Sequence, residues 1–205
     1  QPLSPPGSGT TLGTSREVEE KLGINAYQLL SAQAAEVPPG SEGLVVLPYF
    51  AGERSPIFDA LARGLVIGLT LSRTRKHIYR ALLEGAAYGF RKHSEILEDM
   101  GCEINRIIAT GDGTRSKLWT QIVSDVIGKD QEIVADPLGA PYGDAFMAGY
   151  GAGVFKDVSP LRGDWSPATT MAVHDPGTKK VYDKYYGVYC DLYEPNREHM
   201  HALAA

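Results

Sequence analysis

From residue 106 onward the chain alternates two hydrophobic periods, and this alternation restricts the fold more than any other feature. Arg106 to Thr110 is a short apolar run of strand type. Ser116 to Ile127 puts Leu118, Trp119, Ile122, Val123, Val126 and Ile127 on one helical face and stops at Gly128. Glu132 to Ala135 reads as a second strand, and Tyr142 to Ala152 as a helix rich in Gly and Ala. Strands alternating with helices predict a parallel sheet with crossover helices, and hence an α/β domain.

Upstream, Arg73 to Met100 reads as one long helix, capped by Ser72 or Thr74 and ended by Gly101. Ala81, Gly85 and Gly89 recur at i, i+4 and i+8. Each glycine costs about 1 kcal/mol of helix propensity, so the stripe predicts close backbone packing. The expected surface is a sheet whose central strand carries Ile107 and Ile108. Leu44 to Leu47 and Leu65 to Leu69 read as buried strands on either side of a long loop, Pro48 to Gly64. Ala26 to Ala35 and Glu17 to Leu22 read as short helices, and Thr10 to Leu12 as a short strand. "GDWSPATTMAVHDPG" (163–177) reads as a loop. Lys179 to Tyr193 reads as a terminal helix whose Tyr182, Tyr185, Tyr186, Tyr189 and Tyr193 pack at helical spacing. Residues 1–9 are a Pro/Gly/Ser-rich loose end and 196–205 a tail, leaving 10–195 as one domain. With no initial Met, the chain reads as a fragment.

Composition narrows the class. A net charge of −5 with no Lys/Arg run argues against a nucleic-acid binder. No apolar run approaches a membrane span, and no signal-peptide pattern opens the chain. Cys102 and Cys190, the only cysteines, read as reduced thiols of a cytoplasmic protein. The five histidines are scattered, so no metal site is expected.

"ATGDGTRSKLW" (109–119) lies between a strand and a helix, the usual ligand position of open α/β sheets. Gly111 and Gly113 allow a ligand to touch the main chain, and the N–H groups opening the next helix favour an anion. A dinucleotide fingerprint with Asp136 as the ribose acid is one reading. Ser116 in place of the third glycine, and a position 110 residues into the chain, count against it.

Several ordered motifs resemble the C-terminal domain of the FGGY carbohydrate kinases, close to the xylulokinase-like branch. Gly64-x-Val66-x-Gly68-Leu69, seven residues, then His77-Ile78-x-x-Ala81-Leu82-Leu83-Glu84 fits that family's signature. "GERSP" (52–56), "ARG" (62–64) and "GLTLSRTR" (68–75) match its runs. "ATGDGTRSKLWTQIVSDVIG" (109–128) resembles its adenosine-site segment, and "GAPYGDAFMAGYGAG" (139–153) the close of its nucleotide domain. The resemblance implies a ribonuclease-H-like domain of the actin/hexokinase ATPase type, with a mixed sheet flanked by helices. It implies ATP and Mg2+ as cofactors, with Gly111, Asp112, Gly113, Ser116 and Gly13 on the nucleotide. The catalytic base, most of the sugar site and most of the magnesium site belong to an N-terminal domain absent here, so this chain alone is expected to be inactive. The implied substrate is a small sugar or polyol, xylulose first. A homodimer is the other expected partner, and a sugar-sensing pseudokinase or assembly domain the alternative function. Where the family commonly has glycine, this chain has Asp112, which can point outward, accept N–H bonds at the helix start or reach a ribose hydroxyl; the cap is the expected role.

Overall fold

The computed structural model describes Gly23 and residues 26–134, 140–162 and 168–204. Gly13, Asp136, the strand expected at 10–12 and the helix expected at 17–22 lie outside the described residues.

The elements in chain order are α1 (Ala26–Ala35), β1 (Val45–Leu47), β2 (Leu65–Ile67), α2 (Arg75–Asp99), β3 (Ile108–Ala109), α3 (Lys117–Ile127), β4 (Gln131–Val134), α4 (Ala140–Gly151), β5 (Ala168–Ala172) and α5 (Lys179–Ala202). β1 and β2 pair antiparallel, with Val46 opposite Val66. β3 and β4 pair parallel, with Ile108 opposite Glu132, and α3 is the crossover between them. β5 adds antiparallel to β4, with Glu132 opposite Met171. The second sheet is therefore mixed, in the order β3-β4-β5.

Four expectations change here. β2, read as a buried strand, leaves Val66 and Ile67 exposed, since only β1 pairs with it among the described residues. β5 occupies part of the segment read as a loop. Among the described residues β3 is an edge strand of two residues rather than a central one, and Ile108 is 47% exposed. α5 continues past Tyr193 to Ala202 and buries Met200, so residues 196–202 are helix where a tail was expected.

α2 does approach another backbone closely, but the partner is β1. A Cβ on Gly85 would lie 2.3 Å from the Val46 carbonyl oxygen. Ala81 is buried against Leu44 and Val46. Gly89 has more room, its nearest neighbour being the Tyr189 hydroxyl at 3.7 Å from a Cβ. Thr74 is the N-cap of α2. Its N–H donates to Nδ1 of His77 at 3.1 Å, so a histidine does what Glu or Gln does in most capping boxes.

The main core joins β1, α2, α3 and α5. Val45, Leu47, Ile122 and Val126 meet the tyrosines of α5 there. Tyr88 stands at the centre, 6.3 Å from Tyr182 edge-on and 5.4 Å from Tyr189. Aromatic contacts of this geometry add about 0.5–1.5 kcal/mol beyond area burial. The Tyr49 and Tyr189 hydroxyls meet at 3.1 Å.

Arg80 and Glu84, which the sequence presents as an ordinary i, i+4 pair, are buried in this core. Arg80 Nε donates to Glu84 at 2.8 Å and Arg80 Nη2 to the Tyr182 hydroxyl at 2.8 Å. Glu84 also accepts from the Gly40 N–H at 2.9 Å and the Ser41 hydroxyl at 2.7 Å. Burial pushes the Glu84 carboxyl above the usual carboxylate range, and Arg80, Ser41 and Gly40 pull it back. The segment these bonds hold is unusual. Gly40, Ser41, Glu42 and Gly43 all have positive φ, from 48° to 92°. Two non-glycine residues in that region carry strain, and Glu84 anchors the turn that imposes it.

Candidate functional site

The turn between β3 and α3 is built by two successive devices. Gly111 has φ +90° and ψ 176°, and nothing lies within 4 Å of where a Cβ would be. The main chain there is open to a ligand's approach. A one-turn 3₁₀ segment, Asp112–Arg115, follows. It is closed from within: Thr114 N–H and Thr114 Oγ1 both donate to the Gly111 carbonyl, at 3.1 and 2.7 Å, and Ser116 N–H donates to Gly113 O at 3.1 Å. Ser116 then caps α3, its Oγ accepting from Trp119 N–H at 3.3 Å. The N–H groups of Lys117 and Leu118, first in α3, have no intrahelical acceptor.

This arrangement corrects the role expected of Asp112. The 3₁₀ segment separates it from the start of α3, and Ser116 takes the cap position. The Asp112 side chain is 91% exposed, with Arg115 Nε 3.5 Å away.

Gly111, Asp112, Gly113 and Ser116 are thus brought together on one turn. Two neighbours complete it that the sequence does not single out for this role. A Cβ on Gly113 would lie 3.1 Å from Trp119 Nε1, so the indole is the floor of the turn. Thr114 is its internal tie. Trp119 reads in the sequence only as a core residue of α3. Behind the turn lies a cavity of about 330 Å³, lined by Thr110, Gly113, Thr114 and Trp119 with Ile108, Phe90 and Val123. Arg115 and Lys117 are exposed on the turn and outnumber Asp112, which leaves the local charge positive.

Glu53 accepts from Ser55 N–H at 3.1 Å, and no Glu53–Arg54 ion pair forms among the described residues. Asp144 lies inside α4. His93 bonds the Gly89 carbonyl at 2.7 Å and Ser55 Oγ at 2.8 Å. Cys102 and Cys190 are exposed free thiols. Among the described residues no helix is long and apolar enough to cross a membrane.

Residues 9–152 match the FGGY family of carbohydrate kinases, C-terminal domain. The chain belongs to that family. It is 30% identical to a xylulose kinase of Lactococcus lactis over 96% of its own length and 39% of the relative's. Over 119 residues, 58% of this chain and 23% of the relative, it is 40% identical to a gluconokinase of Bacillus subtilis. In structure it superposes on the xylulose kinase of Rhodospirillum rubrum with a TM-score of 0.73 and 36% identity, covering 91% of this chain and 37% of that one. The chain spans about a third of the length of these FGGY relatives. The α/β fold is the actin/hexokinase-type ATPase fold that the sequence motifs implied.

Proposed function

We propose that this chain is the nucleotide-binding half of a sugar kinase that moves the γ-phosphoryl group of ATP to a hydroxyl of a small sugar or polyol. The observation that carries the reading is the turn at 111–116, which exposes the main chain of Gly111 and leads into the open N–H groups of α3. A helix start of this kind suits a phosphate. Gly111, Gly113 and Ser116 are the residues assigned to the nucleotide, with the Trp119 indole as the floor beneath them. Gly113 cannot take a side chain without displacing that ring. ATP supplies the transferable phosphoryl group, and Mg2+ would neutralise charge on it.

Phosphoryl transfer consists largely of positioning and charge neutralisation between two closed walls. This chain contributes one wall. Its partner in the reading is an N-terminal domain like that of its longer relatives, which brings the catalytic base, most of the sugar site and most of the magnesium site. On this reading the chain alone binds nucleotide weakly and transfers nothing. The relatives include xylulose kinases, gluconokinases and ribulokinases. Xylulose leads because xylulose kinases recur among the relatives matched over most of this chain. The two exposed free thiols fit a cytoplasmic setting.

The test is an ATP-dependent phosphorylation screen of the full-length protein against ketopentoses, pentitols, glycerol and gluconate. Turnover of xylulose above the others is expected. Nucleotide binding with no phosphorylation of any of them would overturn the kinase reading in favour of a sugar-sensing or assembly role.

A further inference from the structure

Asp112 has no structural work in the turn. Ser116 caps α3, and the 3₁₀ segment is closed by the Gly111 and Gly113 carbonyls. No hydrogen bond among the described residues uses the Asp112 carboxylate. Its one ionic neighbour among the described residues, Arg115, is 3.5 Å away with the two side chains 91% and 74% exposed. An ion pair that open contributes little. The carboxylate nevertheless follows directly on Gly111, where the main chain is open to a ligand.

A carboxylate only accepts hydrogen bonds. Beside a nucleotide it is repelled by phosphates and can be satisfied only by a donor. The ribose hydroxyls are such donors, and an acid on them is the arrangement by which dinucleotide folds select an unmodified ribose. Resting on the nucleotide reading of this turn, we infer that Asp112 is a specificity residue that accepts a hydrogen bond from a ribose hydroxyl of the bound nucleotide. The turn thereby favours nucleotides that keep that hydroxyl.

The experiment is an NMR titration of this chain with ADP, 2′-deoxy-ADP, 3′-deoxy-ADP and IDP, in the native form and as Asp112→Gly and Asp112→Asn. Native protein should show shifts at residues 111–117 with ADP and bind one of the deoxy forms about tenfold more weakly, the size of one charge-assisted hydrogen bond. Asp112→Gly should lose that discrimination. Asp112→Asn, which keeps an acceptor without the charge, should retain part of it. IDP should bind like ADP. Loss of IDP binding with equal affinity for the deoxy forms would place the acid on the base and overturn the inference. So would an Asp112→Gly variant that binds ADP more tightly with the deoxy ratios unchanged, the signature of simple repulsion. ADP shifts confined to another surface would instead overturn the nucleotide reading itself, and this inference with it.

Discussion

Substituting alanine at Gly85 and at Gly89 should have opposite effects, although both lie in the middle of the same helix. In a solvated helix each change gains about 1 kcal/mol from propensity. At Gly89 the added methyl meets only the Tyr189 hydroxyl, at 3.7 Å, an ordinary contact. That gain should survive as about 0.5–1 kcal/mol of added stability. At Gly85 the methyl would sit 2.3 Å from the Val46 carbonyl oxygen, well inside contact distance. Val46 is the middle residue of β1 and pairs with Val66, so its carbonyl retreats only if the strand moves. Overpacking of this kind costs about 1–3 kcal/mol, which outweighs the propensity gain. The net expectation is a loss of up to about 2 kcal/mol, or up to about 8 °C in Tm for a chain of this size. Urea melts of the three proteins, followed by far-UV circular dichroism with m-values compared, measure both. If Gly85→Ala stabilised the protein as Gly89→Ala does, the argument from close packing on β1 would be refuted.

Glu84→Ala should cost about 3–5 kcal/mol, because it leaves the Arg80 guanidinium buried without its counter-charge; adding Arg80→Met should restore part of the loss in the same melts. A double substitution no better than the single would refute the uncompensated-charge account. Asp59 tests pH dependence. Tyr193 Oη and His201 Nε2, each 2.7 Å from its carboxylate, hold its pKa down to about 2 from an ordinary 3.8. A depressed carboxyl pKa stabilises fully above the unfolded value and loses that contribution as pH falls through the folded one. Asp59→Asn should therefore flatten the acid limb of the stability curve between about pH 4 and about pH 2. An unchanged acid limb would show that these bonds carry no linkage.

The helices and the glycine stripe were legible because their signals are local. α1 and α3 come out close to the expected bounds, since Ser116 and Gly128 bracket α3 by side chain and backbone alone. The partner of the stripe was not legible, because Gly85 is silent about whether β1 or β3 lies against it. β5 was missed for a related reason. Asp164, Ser166 and Pro167 before it, and Asp175 and Pro176 after it, are turn formers, and five residues between them become a strand by pairing with β4. The four-residue 3₁₀ segment moved the helix cap from Asp112 to Ser116, an offset that hydrophobic periodicity does not register. Arg80 and Glu84 look the same in sequence whether solvent or tyrosine surrounds them. The turn itself could be found from Gly111 and Gly113, whereas its Trp119 floor was hidden among the core positions of α3.

The tyrosine-lined α5 bears on what counts as the unit of folding. The family match ends at residue 152, whereas α5 begins at Lys179 and supplies Tyr182, Tyr186, Tyr189, Tyr193 and Met200 to the same core as Val45, Tyr88 and Ile122. The family pattern and the folded core thus have different borders in this molecule, although relatives match beyond the pattern. A chain stopped where the family pattern stops would keep every residue of the 111–116 turn and lose the surface that α2 and α3 fold against.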